Sequence, residues 1–176
     1  MESGNSYLGG ESSHIHPTFK HGGDVAIGKF CFIEKNVVIE TNIKISDYVK
    51  IPEGSKIGTD VVIGSYTRLG KDCRIGDKVI IKCHSIISPG VVIGSDTFIG
   101  PRVTLLHQTP DGTHMPCKIG SKVFLASGVH VNPGVEISDG IIVGSGSVVT
   151  RSLIAKGVYA GAPARMIKPH GVIPAA

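Results

Sequence analysis

An aliphatic residue stands at every sixth position of this chain from Ile27 to Leu105. The series Ile27, Ile33, Ile39, Ile45, Ile51, Ile57, Ile63, Leu69, Ile75, Ile81, Ile87, Ile93, Ile99, Leu105 has no exception. After a pause it resumes at Ile119, Leu125, Val131, Ile137, Val143 and Val149. Only 41% of the residues are hydrophobic, which rules out fourteen successive hits by accident. A period of six suits neither a helix, at about 3.6 residues, nor a plain strand, at about 2, unless short strands turn at fixed intervals. Other positions of the hexad are expected to supply those turns. Gly follows the aliphatic residue at 28, 58, 64, 70, 76, 94, 100, 120 and 144, and small or aliphatic residues such as Cys31, Val37, Thr67 and Cys73 stand two positions before it.

Three hexads close a triangular coil of 18 residues, and successive coils stack at about 4.8 Å, the inter-strand spacing. Each register residue then packs on its equivalent 18 positions away, so no coil buries its own face alone. The expected fold is all-β: a parallel β-helix of about seven coils, spanning residues 25–154. Residues 1–24 carry no register and read as an N-terminal tail and cap. Residues 155–176 read as a C-terminal cap, with Leu153, Val158 and Met166 available to close the open end.

Composition narrows the functional classes. The formal charge is +4, but its 18 Lys and Arg form no block longer than two residues and aromatics are only 5%, so a nucleic-acid stripe is not expected. The mild positive charge suits an anionic small molecule. Cys31, Cys73, Cys83 and Cys117 have neither metal-site spacing nor the density of a disulfide scaffold, and no apolar stretch is long enough to span a membrane. A cytoplasmic protein with reduced thiols is expected.

The large irregularity is LHQTPDGTHMPCK, residues 106–118. Leu105 and Ile119 stand fourteen residues apart where the repeat needs six, so eight residues are extruded. A loop ejected from a rigid coil is the usual place for function. This one carries His107, Asp111 and His114, and imidazole is the side chain best placed to take a proton near neutral pH. Stacking arithmetic puts His107 on the same edge as Pro89 and Pro133, with His84 on the preceding corner beneath Arg102. His84, His107 and His114 would meet on a zinc ion only if two chains met at an edge.

The runs IGSDTFIGPRVTLL and KIGSKVFLASGVHVNPGVEISDGIIVGSGSVVTRSL, with VGSGSVVT at 143–150 and AGAPAR at 160–165, resemble the hexapeptide-repeat acyltransferases of sugars and small molecules. The resemblance covers about residues 25–168. It implies a left-handed coil, a homotrimer with sites between subunits, acetyl-CoA as donor, and a small acceptor such as a sugar, nucleotide-sugar or amino compound. It also implies a loop histidine as general base, His107 first and His114 second, the latter resembling the loop-end histidine of serine acetyltransferases. Gly146, Thr150 and Arg151 would flank the cofactor and Arg165 would meet its phosphates. Alternatives are a zinc-dependent lyase resembling the γ-class carbonic anhydrases and a non-catalytic scaffold subunit.

Overall fold

The computed structural model describes residues 7–8 and 12–169, and among these there is no helix. Strands of two or three residues recur every six positions and assemble into three parallel sheets that form the faces of a prism. Face A contains Val25–Ile27, Val62–Ile63, Phe98–Ile99 and Ile142–Val143; face B contains Lys50–Ile51, Arg68–Leu69, Ile86–Ile87, Thr104–Leu105 and Val148–Val149; face C contains Lys56–Ile57, Arg74–Ile75 and Lys118–Ile119. Strands pair with their equivalents 18 residues on, as in Leu69 with Ile87 and Ile87 with Leu105. Across the extruded loop the step lengthens, and Leu105 pairs with Val131. The fold is the parallel β-helix that the repeat predicts, with the left-handed winding that the resemblance implies.

The coil has about eight turns, not about seven. The additional turn comes from the segment read as tail: Tyr7–Leu8 pairs with Val25–Ala26, His14–Ile15 with Phe32–Ile33, and Lys20–His21 with Val38–Ile39. Ile15 keeps the six-residue register and packs against the core with Phe19, but the next register position is His21, which hides the continuity.

Two residues of each hexad point inward. The register residue is buried from Ile27 to Val149, and so is the residue two before it, from Val25 and Cys31 to Val135 and Ile141. Where that second position is polar, its hydroxyl donates to a backbone carbonyl: Ser85 Oγ to Gly100 O at 3.0 Å, and Thr97 Oγ1 to Gly120 O at 2.8 Å. No buried side-chain polar atom among the described residues lacks a partner. The thiols of Cys73 and Cys117 are pushed up to about 11 and about 12 chiefly by burial, which keeps them protonated and inert.

The glycines after the register residue do not serve the turns as expected. The left-handed backbone lies two residues further on, at φ of +55° to +60° for side chains as large as Phe30, Tyr48, Lys78 and Arg102. The glycine position is fixed by close approach between coils: a Cβ on Gly64 would lie 2.6 Å from the backbone N of Cys83 and 2.9 Å from the carbonyl carbon of Lys82.

At the C-terminal end, Gly157–Ala160 continues face A and turns back into the antiparallel strand Arg165–Pro169. Leu153 is buried as expected and bridges to Ile137, but the other buried closing residues are Tyr159 and Ala164. Val158 alternates outward and Met166 is 39% exposed. The Tyr159 hydroxyl satisfies itself on Ala155 O at 2.8 Å.

The close-approach reading has a direct test. Gly64→Ala should cost about 3 kcal/mol, because backbone rather than a flexible side chain opposes the new methyl. Gly146→Ala meets nothing within 4 Å and carries only its positive φ, so about 1 kcal/mol is expected. Urea denaturation of both variants measures the difference.

Candidate functional site

The extruded loop is an enlarged corner between faces B and C. It leaves after Leu105 on face B and rejoins at Lys118 on face C, between the corner containing Pro89 and Gly90 below and that containing Pro133 and Gly134 above. The stem is a short antiparallel ladder: Gln108 bridges to His114, Met115 N donates to His107 O at 2.6 Å, and Cys117 N donates to Leu106 O at 3.3 Å. Both neighbouring corners hold it. A Cβ on Gly90 would touch His114 Cε1 at 3.3 Å, and Gly134 N donates to Met115 O at 2.7 Å. These two glycines, at φ +75° and +72°, give the loop backbone and His114 room to lie flat on the coil.

Asp111 braces the tip through one of its two carboxylate oxygens. Its carboxylate accepts from the Thr109 hydroxyl and from Thr113 N, and these bonds hold its pKa down to about 2. Gln108 Nε2 donates across the tip to Gly112 O at 3.1 Å.

His107 and His114 meet edge to face, with ring centroids 5.1 Å apart and planes at 74°. His107 is half-buried and His114 exposed. Desolvation, then the proximity of His114, lowers the His107 pKa, so its imidazole is held in the neutral, proton-accepting form. His84 lies on the corner between faces A and B, stacked on Tyr66 at 4.9 Å, away from the loop as expected. His130 is exposed on face B, paired in register with Thr104. No cluster of three or more potential metal ligands forms among the described residues.

Two clefts flank the loop. The lower, about 450 Å³, runs down face B from His107 past Ile86 and Pro89 to Arg68, Lys71 and Lys50. The upper, about 510 Å³, lies between Gln108, Thr109 and Pro110 of the loop and Asn132, Pro133 and Thr150 of the coils above.

The sequence profile of the bacterial transferase hexapeptide (six repeats) matches residues 72–107 and 116–151, breaking off where the loop leaves the coil and resuming where it returns. Over those residues the chain carries the hexapeptide repeat that defines this family. No curated protein matches its sequence closely enough to extend that assignment. Among solved structures it is similar to PerB from Caulobacter crescentus in complex with CoA and GDP-perosamine (23% identity, 90% of this chain and 57% of that one, TM-score 0.56). It is also similar to the Francisella novicida UDP-N-acetylglucosamine acyltransferase (17% identity, 87% and 64%, TM-score 0.68). A third is a hexapeptide-repeat acetyltransferase from Vibrio cholerae O1 biovar eltor complexed with acetyl-CoA (24% identity, 66% and 70%, TM-score 0.59). At these identities the likeness establishes the fold, and the chain spans less than two thirds of the length of the first two.

Within this hexapeptide-repeat coil the residues expected at a cofactor are divided. Thr150 lines the upper cleft beside the loop, with Arg151 next to it in the chain. Gly146 sits in the turn from face A to face B, and Arg165 begins the strand that folds back on Ala160 at the end of face A. Face B therefore separates the two pairs. Arg165 is exposed, with Nη1 donating to Ala164 O at 3.0 Å.

Sequence reasoning missed Lys50, Arg68 and Lys71. The first two occupy the position just before the register residue, which always points outward. Two 18-residue steps, from Leu105 to Ile87 to Leu69, place Arg68 two coils below the strand that leads to His107.

The paired imidazoles generate a prediction independent of turnover. NMR titration should show His107 titrating below the usual value of about 6.5, and His114→Gln should move it upward, since both the desolvation and the neighbouring charge are reduced. An unmoved or lower midpoint in the variant would contradict the coupling.

Proposed function

We propose that this protein is an acyltransferase that moves an acetyl group from acetyl-CoA to a hydroxyl or amine of a sugar, nucleotide-sugar or similar small acceptor, with His107 as general base. The observation that carries the reading is the position of a half-buried, neutral-poised imidazole at the head of one cleft and at the root of a loop that walls a second. Acyl transfer between two bound substrates needs such an arrangement, because donor and acceptor must approach the same proton acceptor from different sides. Solved relatives of the same fold have been crystallised with CoA, with acetyl-CoA and with a nucleotide-sugar. They support the substrate classes without fixing the acceptor.

In the proposed reaction His107 removes the proton from the acceptor hydroxyl or amine as that atom attacks the thioester carbonyl, and returns it to the departing thiolate. The thioester is already activated, so no covalent enzyme intermediate is required. Backbone N–H groups beside the groove stabilise the tetrahedral oxyanion. The upper cleft, with Thr150 and Arg151, is assigned to the pantetheine arm, and the lower to the acceptor. Gly146 and Arg165 would contact the same donor only if its polyphosphate end crosses face B. His114 is the second candidate base, but its exposure makes it better suited to biasing His107. As a homotrimer, which the family resemblance implies, the protein would complete each cleft with a neighbouring subunit. Among the described residues no helix is long and apolar enough to cross a membrane, and a cytoplasmic location is proposed on the chemistry of its donor and thiols.

The test couples binding to turnover. Wild-type protein should bind acetyl-CoA in calorimetry and release CoA thiol against at least one member of a panel of free and nucleotide-linked amino and hydroxyl sugars. His107→Ala should retain acetyl-CoA binding while kcat falls about 10²- to 10⁴-fold. His114→Ala should lower it far less. Undiminished turnover in both variants would eliminate the loop histidines as the base.

A further inference from the structure

The lower cleft has a chemical polarity that the acyl-transfer reading leaves unexplained. Among the residues lining it are three cations, Lys50, Arg68 and Lys71, against the single carboxylate of Glu34. That carboxylate is already engaged. It accepts from Glu53 N at 3.1 Å and pairs with Lys50 Nζ at 3.2 Å, and these contacts lower its pKa. Lys71 pairs with Glu53 at 3.6 Å. Arg68 is different, since it forms no ion pair among the described residues.

Position sharpens the distinction. Arg68 is the register partner of Lys50 on one side and of Ile86 on the other, and Ile86 in turn pairs with Thr104 on the strand that leads to His107. Its backbone is therefore two coil spacings, about 10 Å, below that strand. Between Arg68 and the loop lies Ile86, a 47% exposed apolar side chain on the cleft floor. Running away from the base, a ligand would meet an apolar step, then a guanidinium free to make bidentate contacts, then an ammonium one coil further. A group with two adjacent anionic centres fits this pair of cations better than a single carboxylate does.

Resting on the acyl-transfer reading, we infer that Arg68, assisted by Lys50, forms a diphosphate subsite that selects an acceptor whose reacting hydroxyl or amine lies about 10 Å from its diphosphate group. Arg68 is then a specificity-determining residue, and neutral sugars are poor acceptors. A second Lys–Arg pair in register, Lys56 and Arg74, lines a groove on face C that no histidine lines and provides an internal control.

Inorganic pyrophosphate is the probe, titrated calorimetrically into protein saturated with CoA so that the donor's own polyphosphate site is filled. Arg68→Gln should weaken pyrophosphate binding about tenfold or more, Arg74→Gln should leave it unchanged, and neither should alter CoA affinity. Lack of pyrophosphate binding by the wild type, or equal weakening by both variants, would overturn the subsite. Weakened CoA binding in Arg68→Gln would instead assign the cation to the donor and also overturn it. If the protein takes no CoA at all, the transferase reading fails, while Arg68-dependent pyrophosphate binding would still uphold an anion site on face B.

Discussion

Everything in this molecule depends on one spacing, the distance of about 4.8 Å at which one coil lies on the next. It is set by parallel ladders such as Leu69 to Ile87 to Leu105, and it leaves no room for a Cβ where Gly64 and its equivalents pass under the next backbone. The same spacing brings the inward aliphatic residues into continuous columns. Those columns cannot form in a single coil, so stability is shared along the stack. The polar residues that interrupt them remain tolerable because hydroxyls such as those of Ser85 and Thr97 reach carbonyls at a corner. Loss of the spacing at one level would disturb both the ladder and the column there.

This constraint explains what was legible in the sequence. Side chains that must fill a column are visible as a period, so the faces, the edge carrying His107 beside Pro89 and Pro133, and the remoteness of His84 all followed from counting in steps of 18. The limits follow from the same cause. His21 occupies a register position without being aliphatic, so the sequence of the first coil reads as tail. The glycine after the register residue looked like a turn former because glycine usually is one. Here the turn is made by residues such as Tyr48 and Lys78 in a left-handed backbone, and the glycine answers to crowding instead. At the C-terminal end the period stops, and nothing in the sequence distinguished Tyr159 from Val158 as the buried closing residue.

The loop shows how a rigid repeat can hold mobile chemistry at a fixed point. Only eight extra residues are ejected, and they are tied at the root by Met115 N to His107 O and at the tip by Asp111. His107 consequently stays near the coil, partly desolvated, while His114 is laid over Gly90 beside it. Burial, and after it the neighbouring His114, favours the neutral form of His107. A proton acceptor poised in this way needs no carboxylate partner. Asp111, the nearest in sequence, is occupied in bracing the loop.

Substrate preference in such a fold can vary without disturbing its architecture. Outward residues just before each register position, Lys50, Arg68, Ile86 and Thr104 on face B, are held in a straight row by the ladder yet contribute nothing to the inner columns. Each can change identity without altering the coil. Under the proposed function the row would serve as a ruler marked at coil intervals from His107, its side chains presenting charge and apolarity at set distances along the cleft. Face C presents a comparable row in Lys56 and Arg74, but no loop histidine overlooks it. Both faces meet the corner where the repeat is broken, but His107 lines the cleft of face B and no histidine lines the groove of face C.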